Sequence, residues 1–456
     1  MRLALTAKSG QATSRVVGVR PKPPPPLVQL TTRLLQVSTH IPLRPCAFCF
    51  LLSCRPTVGF DSHGAHILPT MLAPRMPPLY LILAFGAFSL LLLYYRNPYR
   101  SRASTFSIAH TKPANATLGF GGLYVVSGPG SPRRAGMIQA ANVTELDLTI
   151  PEQHQWTAQQ IANFKYGPES KMANGSIMAW MSHHVVLREF LKSGAETALV
   201  FEDDVDWDIH LRTYQVPVTA AAVKSLLPPA GPEYYWGHPE DWELLYLGHC
   251  GDYFNSVFQG VGVGHIHPED LQKIPHAIYQ DATLPDRTDL HPYTASLLSA
   301  FSVPEQTRVV HKSKFPLCTF GYAVTRASAQ RLLEDLAPAK EKKEGSAQAY
   351  DIAIVEACRD KGLRCYSINP ELFHHMEGTS LIDGKHHARP PVDAAGLEQV
   401  RYRNETANIG CGFWSKDFAW GEDLERLEYL REEVGRKGRC LKEGRDLALP
   451  LPTARA

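Results

Sequence analysis

The chain has 456 residues, carries 47 Lys and Arg against 45 Asp and Glu, and is 44% hydrophobic. Its length allows one large domain or two smaller ones, and its apolar content excludes disorder along the whole chain. With a net charge of +2 and no dominant Lys/Arg cluster, nothing directs it to nucleic acid.

Residues 1–78 contain the run Pro23 to Pro26, many arginines and no acidic residue before Asp61. That composition does not build a core, so the segment reads as a tail without a fold, with Met71 and Met76 as alternative starts. An acid-free, Arg-rich start also fits an organellar transit peptide, the less favoured reading. Leu79 to Tyr95 (residues 79–95) is apolar and uncharged, is about the length of a bilayer span, and is isolated by Pro77, Pro78 and Pro98. It is expected to be a single transmembrane signal anchor. Arg75 before it and Arg96, Arg100 and Arg102 after it do not set the orientation. Four Asn-x-Ser/Thr sequons on its C-terminal side, at Asn115, Asn142, Asn174 and Asn404, favour a lumenal catalytic part, as in a single-pass type II protein of the Golgi or endoplasmic reticulum. Cys250, Cys318, Cys358, Cys365, Cys411 and Cys440 form an even set that permits disulfides there, free core thiols being the alternative.

Residues 96–118 are polar and Pro-containing, a stem; the folded part is expected at 119–410, followed by a charged helical extension at 411–456. Short apolar runs, Leu123 to Val126, Ala198 to Phe201 and Leu244 to Leu247, alternate with helical patterns, which predicts an α/β sheet. One helix is expected from an N-cap at Ser176, along Ile177, Trp180, Met181, Leu187, Phe190 and Leu191, to a stop at Gly194. Others are expected around Ala329 to Leu336, from Tyr350 to Lys361, and peripherally from Glu422 to Lys442.

The second strand runs out into Glu202, Asp203, Asp204, Asp206 and Asp208. Five carboxylates at one strand end repel each other, and ligand sites in open α/β sheets gather at that end, where oxygen ligands suit Mg2+ or Mn2+ and hence a diphosphate. A solvated acidic turn explains the charges but not their position after a buried strand. Asp203, Asp204 and Trp207 fail the D-D-x-x-D spacing of prenyl-diphosphate chemistry, and the aspartyl-phosphatase pattern is missing around Asp204 and Asp206. Two carboxylates one residue apart, Glu202 and Asp204, suffice for a nucleotide-sugar transferase.

Met178-Ala-Trp-Met-Ser182-His183 and Leu199-Val-Phe-Glu-Asp-Asp-Val205 resemble the Ser-His and Glu-Asp-Asp-Val signatures of glycosyltransferase family 25, the lipopolysaccharide and collagen galactosyltransferase-like group. Leu123-Tyr-Val-Val followed by Arg133 and Arg134, Trp242-Glu-Leu-Leu-Tyr-Leu-Gly248, and Phe320 to Ala329 fit the same pattern. The chain departs from it at Ser127-Gly128 and across a Pro/His-rich insertion from Gly260 to Pro304. The resemblance implies a GT-A-like nucleotide-sugar transferase domain behind the N-terminal transmembrane helix. It further implies inverting transfer of a hexose, often galactose from UDP-galactose, and Mn2+ or Mg2+ on Glu202, Asp203 and Asp204. The acceptor would be a glycan or glycoprotein. Arg133, Arg134, Ser182 and His183 are candidates for donor contacts. Inversion needs one base near the acceptor hydroxyl; Asp351, opening a helix, is ranked before Glu243, at the start of a strand. His184 is expected to be a satisfied core histidine, and His374, His375 and Glu377 a poor zinc set. A catalytically silent lumenal scaffold or carbohydrate-binding protein is the alternative from another class.

Overall fold

A computed structural model describes residues 112–445, apart from 255–262, 264, 343–346, 380–385 and 388–395. In chain order the elements are β1 (Leu123–Val126), α1 (Arg134–Thr144), β2 (Leu148–Thr149), α2 (Ala158–Phe164), α3 (Asn174–Ser193), β3 (Thr197–Glu202) and β4 (Val205–Trp207). There follow α4 (Val216–Leu226), β5 (Leu244–Gly248), α5 (Pro268–Gln272), β6 (His276–Gln280), α6 (Pro292–Ala300), β7 (Thr307–Lys312) and β8 (Gly321–Thr325). The last are α7 (Arg326–Arg331), α8 (Tyr350–Asp360), β9 (Cys365–Asn369), β10 (Phe373–His375), β11 (Gly378–Thr379), β12 (His386–His387) and α9 (Leu424–Leu430).

Eight strands form one mixed sheet in the order β2-β1-β3-β8-β5-β9-β7-β6. β1 runs parallel to β2 and β3, and β5 parallel to β9, while β8 lies antiparallel between β3 and β5. The carboxyl ends of β1, β3, β5 and β9 therefore share one edge of the sheet. Alternation along the strands divides the core: Leu123, Val125, Leu199, Phe201, Leu245 and Leu247 face one layer, which includes residues of α1 and α4. Tyr124, Ala198, Val200, Leu244, Tyr246 and Tyr322 face the other, made by α3, α7 and α8. Burial on both faces is why these strands are continuous apolar runs in the sequence.

Helix α3 ends as its sequence dictates, with Gly194 at φ 78° taking the left-handed turn. Its start differs: the N-cap is Ala173, with no side-chain cap, and Ser176 already lies inside the helix. The insertion from Gly260 to Pro304 supplies α5, edge strand β6 and α6, whose apolar residues form a satellite core with Val309 of β7. The C-terminal extension is not peripheral, because Leu427, Leu430 and Val434 bury against Val143 of α1 and Ile209. At the other end Leu118 is fully buried and its carbonyl accepts from the Trp236 indole at 2.9 Å, so the fold begins before residue 119. All six candidate cysteines pair, as Cys250–Cys318, Cys358–Cys365 and Cys411–Cys440.

The expectation of a domain behind a transmembrane helix requires correction. No helix among the described residues is long and apolar enough to cross a membrane; even the 20-residue α3 carries His183, His184, Arg188, Glu189 and Lys192. The segment Leu79 to Tyr95, on which that expectation rested, lies outside the described residues, as do residues 1–78 and most of the stem. What is described is a mixed α/β fold on an eight-stranded sheet.

Candidate active site

A cavity of about 690 Å3 opens at the shared edge of the sheet. Arg133 and one face of α1 line it on one side, and Ser176, Ala179 and His183 of α3 line another. Glu202 projects from the end of β3, Asp204 from the turn beyond it and Asp206 from β4, Tyr350 and Asp351 from α8, and Phe413 and Trp414 from the C-terminal extension. This is the size and position of a small-molecule site in an open α/β sheet.

The acidic run eases its self-repulsion by giving most of its carboxylates their own partners. Glu202 accepts from the Thr319 hydroxyl at 3.2 Å and lies 3.4 Å from Nε2 of His183. Burial works to raise its pKa, but the His183 contact and the Thr319 hydroxyl outweigh it and hold the carboxyl below its ordinary value. Asp203 turns away from the cavity: Ser127 Oγ donates to it at 2.6 Å and Arg133 Nε at 3.0 Å. Asp204 is the least satisfied, with Oδ1 buried without a partner and Oδ2 3.7 Å from Arg133. Burial, then the charge of Glu202, push its pKa up to about 7. Asp206 accepts from Thr406 Oγ1 at 2.6 Å and from the backbone N–H groups of Phe413 and Trp414 at 2.7 and 3.2 Å. Asp208 accepts from the Cys411 N–H at 2.8 Å and pairs with His210 at 2.7 Å. Asp206 and Asp208 thus hold the extension in place, leaving Glu202 and Asp204 facing the cavity.

The remaining candidates separate in the same way. His183 is buried, stacks on Tyr350 with ring centres 4.8 Å apart, and its Nδ1 is 3.1 Å from the Tyr322 hydroxyl. Ser182 points elsewhere: its hydroxyl accepts from the Trp156 indole at 3.3 Å. Arg134 donates to the Ser127 hydroxyl and to the carbonyls of Ser127 and Gly128, bracing the loop after β1. Asp351 lines the cavity and accepts from the N–H of Cys318 at 3.2 Å and of Ile352 at 2.8 Å; burial raises its pKa. Glu243 lies just before β5, at the opposite end of the sheet, where Arg331 and Arg364 bind it. It is not brought to the cavity.

His184 is a core residue, its Nε2 2.7 Å from the Ala337 carbonyl, and burial lowers its pKa to about 3. His374 pairs with Glu371, whereas His375 and Glu377 line the cavity beside the acidic turn. Sequence reasoning missed Thr319, Tyr350, Phe413, Trp414 and the Cys250–Cys318 disulfide as cavity residues. No local spacing could have revealed them, since they converge from the loop after β5, the segment before β8, α8 and the extension.

Among the described residues no group of three or more His, Cys, Asp or Glu side chains could hold a metal ion. Two cavity carboxylates, one with an unpartnered oxygen, nevertheless suit a cation that takes its other ligands from phosphates and water, as Mg2+ commonly does.

The molecule is thus a mixed α/β protein with an acid-lined cavity at the carboxyl edge of its sheet. No family model and no curated protein matches the chain. Among solved structures it is similar to the crystal structure of A197 from STIV, at 10% identity over 62% of this chain and 97% of that one. The TM-score of 0.25 is too low to carry an argument.

Proposed function

We propose that this protein is a metal-dependent glycosyltransferase that moves a hexose from a nucleoside diphosphate sugar, UDP-galactose being the first candidate, to a glycan or glycoprotein, with inversion. The observation that carries the reading is the pair Glu202 and Asp204, one residue apart at the end of a central strand, facing a cavity that would otherwise repel a diphosphate. Of the motifs resembling glycosyltransferase family 25, the stretch through His183 falls on α3 and the one through Glu202 and Asp204 at the end of β3, and both contribute to this cavity. Six cysteines in three disulfides suit an oxidising compartment such as the secretory lumen.

In this reading Glu202 and Asp204 would hold Mn2+ or Mg2+, which would supply Lewis-acid stabilisation of the departing nucleoside diphosphate. Asp203 acts indirectly, orienting Arg133, whose guanidinium also reaches toward Asp204 and is available to phosphate oxygens. His183, held by Tyr322 and Tyr350, fixes the carboxylate of Glu202. Asp351 takes the proton of the acceptor hydroxyl. Its two backbone donors aim the carboxyl, and burial raises its basicity.

The test is equilibrium binding of UDP with and without Mn2+ to the protein and to Asp204→Ala. Mn2+-dependent binding that the variant loses is expected. Failure of correctly folded protein to bind either UDP or GDP would sink the proposal.

A further inference from the structure

Of the three disulfides, Cys358–Cys365 and Cys411–Cys440 are buried, whereas Cys250 and Cys318 are only partly buried and both line the cavity. Cys318 has a backbone φ of 67°, a left-handed conformation that costs a non-glycine residue about 1–2 kcal/mol and persists only when its surroundings enforce it. Two elements of the site hang from this one residue. Its N–H donates to Asp351 Oδ2 at 3.2 Å, and its neighbour Thr319 donates to Glu202 at 3.2 Å and lies 3.4 Å from His183. The loop after β5 that carries Cys250 is joined to this segment by backbone bonds from Cys250 N–H to the Leu317 carbonyl and from Leu317 N–H to the Gly251 carbonyl, and the disulfide adds the tie at Cys318 itself.

We propose that Cys250–Cys318 is a positioning element of the site, holding Glu202 through Thr319 and Asp351 through its own backbone, and that a dithiol reductant loosens both by breaking it. One reductant thiolate attacks a cysteine sulfur, the S–S bond breaks, and a mixed disulfide forms. The second reductant thiol displaces it, leaving two cysteine thiols on the chain and the reductant as a disulfide. Because neither of its cysteines is fully buried and both line the cavity, this bond is expected to react before the other two. The functional consequence rests on the donor-site reading above, but the positioning does not.

The experiment takes the full chain through a dithiothreitol titration with thiol alkylation and peptide mapping, alongside hydrogen exchange. Selective labelling of Cys250 and Cys318 is expected, with faster exchange at the amides of 318–320 and 351–353 and little change in α3. Labelling of the other four cysteines first, or unchanged exchange after selective reduction, would overturn the proposal. A second arm measures Mn2+-dependent UDP binding. Reduction and Thr319→Val should each weaken it about tenfold, the loss of one hydrogen bond to a charged group. Their combination should do no more than either alone, and Thr319→Ser should restore it. Additive losses would overturn the coupling through Thr319. If oxidised wild-type protein binds no nucleotide, the donor reading fails while the exchange arm still decides the positioning.

Discussion

Replacing Asp204 by asparagine should make the metal-free protein more stable at pH 8 while abolishing its response to Mn2+. The carboxyl has an unpartnered buried oxygen and Glu202 as neighbour, and its pKa stands at about 7 against an ordinary 3.8. Because the folded value lies above the unfolded one, the native state holds the extra proton between these limits, and stability falls as pH rises through that window. The shift of about 3 pH units corresponds to a ceiling of roughly 4 kcal/mol. Water reaching the side chain, a quarter of which is exposed, reduces this to about 1–2 kcal/mol. Asparagine removes the ionisation, so melting of metal-free protein should rise by about 1–3 °C at pH 8. At pH 5 the folded carboxyl is protonated but the unfolded one is already largely ionised, so the difference should shrink to roughly a third of its size at pH 8. Saturating Mn2+ should raise the wild-type Tm at pH 8 and leave the variant unmoved. Differential scanning calorimetry at the two pH values, with EDTA and with Mn2+, makes the comparison. A variant no more stable than wild type at pH 8, or a gain of equal size at pH 5, would refute the reasoning.

Asp206→Ala strands Thr406 Oγ1 and the N–H groups of Phe413 and Trp414, so hydrogen exchange across 406–420 should rise and stability fall by about 3 kcal/mol. Glu243→Gln, at the far end of the sheet, should cost about 1–3 kcal/mol in denaturant unfolding and leave Mn2+-dependent UDP binding unchanged. Expression in a secretory host should place glycans on the exposed Asn115, Asn174 and Asn404. Asn142, whose side chain and carbonyl accept from Arg431, should stay bare by glycopeptide mass spectrometry.

The strands and helices flanking the site were legible because their signals are local. Leu123 to Val126 is a strand over those residues, and Gly194 and Gly362 stand just past the ends of α3 and α8 as turn chemistry requires. The acidic run was also placed correctly at a strand end. The division of labour within it was not, since it depends on partners far away in sequence: Asp206 meets Thr406, and Asp208 meets Cys411. Glu243 and Asp351 looked equivalent as carboxylates at element starts. Only the direction of β5, fixed by pairing with β8 and β9, assigns Glu243 to the wrong edge. The role of the extension was hidden because its charged residues mask the three apolar side chains that dock on α1 and its surroundings.

The pairing of Asp206 and Asp208 with residues 406–414 also constrains the order in which the protein assembles. On a ribosome Asp206 and Asp208 emerge some two hundred residues before the hydroxyl and N–H groups of 406–414 that hold them, so the first sheet strands can pair while these two carboxylates still lack those donors. Maturation of the cavity is then a terminal event: closure of Cys411–Cys440 beside these contacts fixes the last wall of the pocket. A release factor acting early, or an oxidase acting late, would leave a folded sheet with an unfinished pocket.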